Sequence, residues 1–209
     1  MFWDEPPTFV APRDEQEGGT WLGVNRHGVL VALTNRFGSS RDARRRSRGA
    51  LVVDALRGTD ATEASFFASR HAPDAHNPYH LLTADEASAV AVWSDGEATT
   101  AFALAPGIHV VTERSFGAAP NGRAEFIERC VAELQDTGAL TRDALKRLLA
   151  IHRPDDFDAT SVLVPELNYG TRSSTIIDVA GGTLDFADGP PTEASYLDYS
   201  DLLRQMWAS

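Results

Sequence analysis

Apolar and polar positions follow a period of about two in some stretches of this chain and about three and a half in others. From Thr20 to Val24 and from Val29 to Leu33 the residues are mostly β-branched or apolar, and Asn25-Arg26-His27-Gly28 lies between them with a glycine able to take positive φ. This predicts two strands joined by a tight turn. The second arm is apolar at nearly every position, so it is expected to be buried on both faces. Arg48 to Leu56 places Leu51, Val52, Ala55 and Leu56 at helical spacing, and a second helix is expected after Thr59 or Asp60 as cap, with Ala64, Phe67 and Ala68 inward. Strand patterns follow at Tyr79–Thr83, Ala89–Ser94, Thr99–Leu104 and Ile108–Thr112, with turns at Asp95-Gly96 and Ala105-Pro106-Gly107.

Further on, Asn121 to Thr137 sets Phe126, Ile127, Cys130, Val131 and Leu134 on one helical stripe that Gly138 stops. Thr141 caps the next helix, with Leu145, Leu148, Leu149 and His152 along it and Pro154 at its end. Strands are expected again at Ser161–Val164, Arg172–Val179 and Gly182–Phe186, and Ala194–Met206 reads as an amphipathic tail helix. Phe2 to Glu17 is Pro-rich and charged with no sustained period, an extended lead-in. Hairpins and paired helices, rather than strict β-α-β alternation, predict a layered α+β fold.

Length and charge narrow the picture further. At 209 residues and 43% hydrophobic, one domain over residues 1–209 is expected, with 1–17 as lead-in and 194–209 as tail helix. No apolar run is long enough to span a bilayer, and the first residues lack the basic and apolar regions of a secretory signal. A net charge of -11 argues against nucleic acid as a partner. The single cysteine, Cys130, excludes an internal disulfide, fits a reducing compartment and so a cytoplasmic location, and reads as a core thiol from its place on the apolar stripe.

One local concentration runs against the acidic balance. Arg36, Arg41, Arg44, Arg45, Arg46 and Arg48 fall in one short stretch with Gly38, Ser39 and Ser40. Such a cluster suits an anion clamp for a phosphate or for carboxylates such as haem propionates. The plainer reading is a solvated loop, since every basic residue but Lys146 is an arginine. His71, Asp74, His76 and His80 suggest metal ligands, but Pro73 and Pro78 deny them a shared helical face and no metal set is assigned. Gly19-Thr20 resembles a self-cleavage junction, a motif with a high false-positive rate.

Several of these stretches carry a resemblance. Gly-Gly-Thr-Trp-Leu-Gly-Val at 18–24, Ala-Leu-Thr-Asn at 32–35, Ser47-Arg48-Gly49, Tyr79-His80-Leu81-Leu82 and Tyr169-Gly170-Thr171-Arg172-Ser173-Ser174-Thr175 occur in the order seen in the NRDE family, the transport and Golgi organisation protein 2 family. The family is similar to the N-terminal nucleophile hydrolases, which implies a four-layer αββα sandwich, here lacking its first strands. The hairpin at Thr20–Asn35 is then expected to share a sheet with the Tyr169–Thr175 segment or the strand after it.

Hydrolases of that fold use a first-residue Cys, Ser or Thr whose own α-amine serves as base. Family members begin Met-Cys and carry Asn-Arg-Asp-Glu on the next strand; this sequence has neither, and Phe2 follows Met1. The chain as written therefore offers no such nucleophile, and its start looks truncated, which would leave an open sheet edge and a tendency to homodimerise there. In the resemblance Asn35 would be one oxyanion donor, while Glu113 stands where a second Asn is expected. Arg172 would pair with a substrate carboxylate or serve as a structural ion pair, and His80 replaces a family asparagine at a strand start. Asn35, Arg36, Arg48, His80, Glu113 and Arg172 are the ligand-binding candidates, with no catalytic residue, no resident cofactor and haem as a conceivable cargo. Two functions stay open: a non-catalytic binding or carrier protein for haem or another small molecule on a hydrolase-like scaffold, or an amidohydrolase whose nucleophile lies upstream.

Overall fold

The predicted hairpin forms, as β2 (Leu22–Asn25) and β3 (Leu30–Asn35), in a computed structural model that describes residue 3 and residues 8–38, 41–153, 158–164, 166 and 169–208. Contacts group the chain into two compact units, Met1–Pro106 with Val111–Pro120 and Leu202–Ser209, and Gly107–Val110 with Asn121–Asp201.

The first unit is built on a six-stranded antiparallel sheet in the order β1-β2-β3-β4-β5-β6, where β1 is Phe9–Val10, β4 Tyr79–Ala84, β5 Ala89–Ser94 and β6 Thr99–Ala103. Each strand pairs with its neighbour in sequence, Leu33 opposite Leu81 and Leu81 opposite Val92. β1 lies in the lead-in that showed no period; two paired residues are too few to display one. On one face of the sheet lie α1 (Arg48–Ala55) and α2 (Ala61–Ser69). Leu51, Val52 and Ala55 of α1 and Ala64 and Ala68 of α2 form one buried cluster with Phe9, Val29, Val31, Tyr79, Leu81 and Val92. The second arm of the hairpin is fully buried on one side only: Val29 and Val31 are sealed, whereas Leu30, Ala32 and Leu33 are half-buried.

Helix starts follow side-chain chemistry. Ser47 accepts from the Gly49 amide at the N-terminus of α1. Asp60 accepts from Glu63 N, and Glu63 in turn accepts from the amide and hydroxyl of Thr59, a reciprocal cap that starts α2. The two helices are joined through buried Asn25. Its Nδ2 donates to the carbonyls of Leu56 (2.9 Å) and Gly58 (2.6 Å), while its Oδ1 accepts from the amides of His27 and Val29. One side chain thus closes both the β-turn and the end of α1.

No strand forms at Ile108–Thr112. The Pro106-Gly107 break removes the chain from the ladder, and the next backbone groups are satisfied within a turn: Thr112 N donates to Ser115 Oγ, and Ser115 N to Thr112 O. Phe116 sits in the left-handed region at φ 51°, unusual for an aromatic residue.

The second unit holds α3 (Gly122–Asp136), α4 (Arg142–Leu149), the short pair β7 (Leu163–Val164) and β8 (Tyr169–Gly170), and a three-stranded sheet of β9 (Ser173–Asp178), β10 (Thr183–Asp188) and β11 (Leu197–Asp198). Asn121 and Thr141 cap the two helices. Pro154, the expected end of α4, lies outside the described residues. Buried Asp185 on β10 accepts from Arg142 (3.1 Å) and Lys146 (3.2 Å) of α4. The tail helix is shorter than expected. α5 spans Ser200–Ala208, because Leu197 pairs with Phe186 and Tyr199 N donates to Leu184 O.

Two further expectations are corrected. The distal motif does not share a sheet with the Thr20–Asn35 hairpin: both edges of β3 are occupied by β2 and β4, and β9 finds its partner across the tight turn to β10. Cys130 is not a core thiol; on α3 only Ala124 is buried, and half-exposed Cys130 lines an open groove of about 540 Å³ with Phe126, Arg129 and Arg153. Helices beside antiparallel sheets make the described fold α+β.

Candidate functional site

The arginine-rich stretch leaves the end of β3 and returns to start α1, so its side chains gather where the strand end meets the helix N-terminus. Two glycines permit this closeness. A Cβ on Gly19 would lie 2.5 Å from the carbonyl carbon of Gly49, and Thr20 N donates to Gly49 O. The outcome is a cleft of about 340 Å³ lined by Thr20, Trp21, Leu33 and Asn35 of the hairpin and by Arg41, Arg45, Arg46 and Arg48 of the loop and helix, with Asp14 and Glu17 also on its wall.

The arginines are not equivalent. Arg41 pairs with Glu17 at 3.0 Å and Arg44 with Asp42 at 2.9 Å, both near the surface. Arg45 donates to His76 O, and Arg48 donates to Pro78 O at 3.1 Å. Among the described residues no carboxylate pairs with Arg45, Arg46 or Arg48. Burial, and secondarily the charge of Arg41, depress the pKa of the Arg48 guanidinium. A half-buried cation held by one carbonyl dipole has unspent capacity for an anion. Asn35 is exposed at the lip of the same cleft. Ser39 and Ser40 of the proposed clamp lie outside the described residues.

A second cluster forms one residue further along. Arg36 stacks over Trp93 at 4.5 Å, donates to His80 Nε2 at 2.8 Å and reaches the carbonyls of Ser115 and Phe116 at 3.3 Å. The arginine donor makes Nε2 the acceptor and places the imidazole proton on Nδ1, which has no hydrogen-bond partner of normal geometry. His80 is sealed from solvent, and its pKa is pushed down to about 4 by burial and by the charge of Arg36, with the backbone of Thr112 and Ser115 pulling the other way. Phe116 meets His80 edge-on at 5.4 Å and Phe102 at 5.3 Å. Glu113 contributes its carbonyl, which accepts from Phe37 N, while its carboxylate lies 3.6 Å from Arg114.

The six candidates therefore divide. Asn35 and Arg48 line the cleft; Arg36, His80 and the backbone of Glu113 make the second cluster; Arg172 belongs to the other unit, in the link between β8 and β9. The histidines divide too. His80 binds Arg36, whereas His76 donates from Nδ1 to Ser47 O and faces His71 edge-on at 5.2 Å. Sequence reasoning did not find Trp21, Trp93 or the Asn77–Asp42 exchange of hydrogen bonds that steadies the arginine loop. An Asn-Pro pair before a strand was the available signal for the last. Thr20 is buried with its hydroxyl donating to Leu22 O and accepting from Leu22 N, so the side chain is spent on starting β2.

Among the described residues no helix is long and apolar enough to cross a membrane. A family model described as Transport and Golgi organisation 2 matches residues 1–184. The Transport and Golgi organization protein 2 homolog of Bos taurus is 28% identical over 221 residues, covering 90% of this chain and 78% of that protein. The Mus musculus homolog is 27% identical over 232 residues, 94% of this chain and 80% of its own length. The Homo sapiens homolog is 34% identical over 93 residues, 42% of this chain and 33% of its own length. Among solved structures, a Caenorhabditis elegans N-acylethanolamine-hydrolyzing acid amidase ortholog aligns over 88% of this chain and 80% of its own, with TM-score 0.47 and 13% identity. A mutant of the conjugated bile acid hydrolase from Clostridium perfringens aligns over 91% of this chain and 76% of its own, with TM-score 0.48 and 10% identity.

Proposed function

The chain belongs to the transport and Golgi organisation 2 family, and from that premise we propose that it is a non-catalytic binding and carrier protein for a small molecule with an anionic head group. The observation that carries this reading is Arg48, a half-buried guanidinium that lines the cleft and donates to one backbone carbonyl, that of Pro78, with no carboxylate partner among the described residues. A carboxylate or phosphate in the cleft would be offered Arg48, Arg45 and Arg46, while Trp21 and Leu33 provide an apolar wall for the body of the ligand. Haem, an apolar plane with two propionates, is one cargo of this chemistry. A lone cysteine supports a reducing compartment such as the cytoplasm as the working location.

Calorimetric titration with haem, and with sulfate as the head group alone, tests the reading. Charge-assisted hydrogen bonds contribute about 1.5–3 kcal/mol, so Arg48→Met should weaken both ligands by about ten- to a hundredfold. Arg48→Lys should retain part of the affinity, since it keeps the charge and loses the fork. Arg57→Met, at an exposed arginine outside the cleft, should bind as the parent does. Equal binding by Arg48→Met, or no binding of either ligand, would refute the carrier role of this cleft.

A further inference from the structure

Besides the Arg41–Glu17 pair, the Phe37 bond to Glu113 O and the turn that Arg44 and Arg45 make around Asp42, the arginine loop is fastened to the segment just before β4. Arg46 N donates to Ala75 O at 2.9 Å, Arg45 donates to His76 O at 3.0 Å, and Arg48 donates to Pro78 O at 3.1 Å. Asp42 N donates to Asn77 Oδ1 at 2.7 Å, and Asn77 Nδ2 returns a bond to Asp42 O at 2.9 Å. The cleft arginines are thus aimed by the backbone of residues 75–78.

His76 sits at the centre of this seam. Its Nδ1 donates to Ser47 O at 3.1 Å, which leaves Nε2 as the unprotonated nitrogen. The side chain is 1% exposed and Nε2 has no hydrogen-bond partner. The ring meets His71 edge-on at 5.2 Å and 90°, with Tyr79 of β4 edge-on at 6.5 Å. His71 in turn accepts from Arg46 at 3.4 Å through Nδ1 and points Nε2 at Asp54 of α1, 3.6 Å away. The charged groups around the pair are therefore Arg46 from the loop, Arg70 from the end of α2, and the single carboxylate of Asp54, which faces His71 rather than His76.

We propose that the His71–His76 pair is a proton-operated latch on the arginine loop: neutral, it keeps the loop fastened and the cleft formed; protonated, it frees the loop and discharges the bound anion. The inference rests on the anion-binding reading of the cleft and adds its regulation. A proton on His76 Nε2 would have no hydrogen-bond partner and would lie against the edge of another imidazole and near the Arg46 charge, with the backbone of Arg46 and Ser47 offsetting only part of that cost. A buried cation so placed is relieved only when the segment parts from Ser47 and water enters. Both histidines have pKa values held below the ordinary histidine range, His76 by burial and then by His71 and Arg46, so the latch stays shut at neutral pH. Simple Coulomb attraction would predict the opposite trend, with added positive charge tightening an anion. His76 does not line the cleft, and a charge acting across wet space counts for less than one confined without a partner.

Amide hydrogen exchange on the whole chain, without ligand, reads the latch directly. Between about pH 7.5 and about pH 5, after correction for intrinsic rates, the amides of Asp42 and Arg46 should lose at least about tenfold in protection, while Leu81 and Val92 in the sheet keep theirs. His76→Asn retains a donor for Ser47 O and cannot charge, so its loop should stay protected at both pH values. Should that variant fail to fold, nitrogen resonances of the His76 ring in the parent supply the second reading, since proton uptake and loop opening must share one midpoint. Unchanged protection on acidification, opening by His76→Asn alike, or separate midpoints would overturn the latch. Sulfate, whose charge is constant over this range, distinguishes the two readings: its affinity should fall at least about tenfold on acidification in the parent and hold in His76→Asn. A loop that opens in acid although sulfate never binds removes the anion role and leaves the latch. Sulfate bound equally at both pH values removes the latch and leaves the anion role.

Discussion

Asn25 offers the sharpest test of how the first unit is held together. Its amide is 1% exposed and all four of its hydrogen-bonding capacities are used, two donors on Leu56 O and Gly58 O and two acceptor sites on His27 N and Val29 N. Asn25→Ala would strand three groups in buried surroundings: the Val29 amide and the Leu56 and Gly58 carbonyls. A buried polar group left unsatisfied costs about 1–3 kcal/mol. Water admitted to the small cavity would recover some of this, so the expected loss is about 3–6 kcal/mol, against a total of about 5–15 kcal/mol for a domain. Equilibrium unfolding in guanidinium, followed by tryptophan fluorescence, should show that loss as a lower midpoint. Asn25→Asp sharpens the test. It keeps the acceptors for the turn but turns a carboxylate oxygen toward two carbonyls, so at neutral pH it should be at least as unstable as Asn25→Ala. Its deficit relative to the parent should shrink as pH falls, because a protonated carboxyl can donate to one of those carbonyls. An Asn25→Ala protein within about 1 kcal/mol of the parent would refute the argument that this side chain joins turn to helix.

Two further outcomes follow from the same geometry. Gly19→Ala would drive a Cβ to 2.5 Å from the Gly49 backbone, where no flexible atom can yield; a loss of about 1–3 kcal/mol or more is expected from the thermal midpoint, and an unchanged midpoint would show that the contact is not tight. For His80, the folded pKa of about 4 lies below the ordinary 6.5, so the unfolded chain takes up its proton first. Stability contributed at this site is intact above about pH 6.5 and falls as pH drops toward 4, by at most about 3 kcal/mol; His80→Gln should remove that share of the slope, and an identical slope in both proteins would overturn the assignment.

Local chemistry was largely readable from the chain. The hairpin, the β4–β6 meander and the caps expected at Thr59 or Asp60 and at Thr141 depend on near neighbours in sequence; Asp60 and Thr141 cap the helices that follow them, and Ser47 and Asn121, which the sequence marked only as lying where helices begin, cap theirs too. The arginine concentration was equally visible, as a run of like residues, but not its use. Whether those guanidinium groups were spent on carboxylates or left facing a cleft depends on Glu17, Asp42 and the carbonyls of residues 76 and 78, which only the fold brings near. The same holds where expectation failed. Ile108–Thr112 has strand composition yet does not pair with the outer edge of β6, and Thr112 is bonded within a turn to Ser115 instead, whereas Leu197–Asp198 has helical composition and takes the edge of β10. Side-chain pattern shows what a segment could bury; the availability of backbone partners, a property of tertiary structure alone, decides which ladder it joins. His76 shows this most plainly. In sequence it is one of several histidines in a proline-broken loop, and its place beneath the arginines exists only because α1 and β4 bring residues 47 and 76 together.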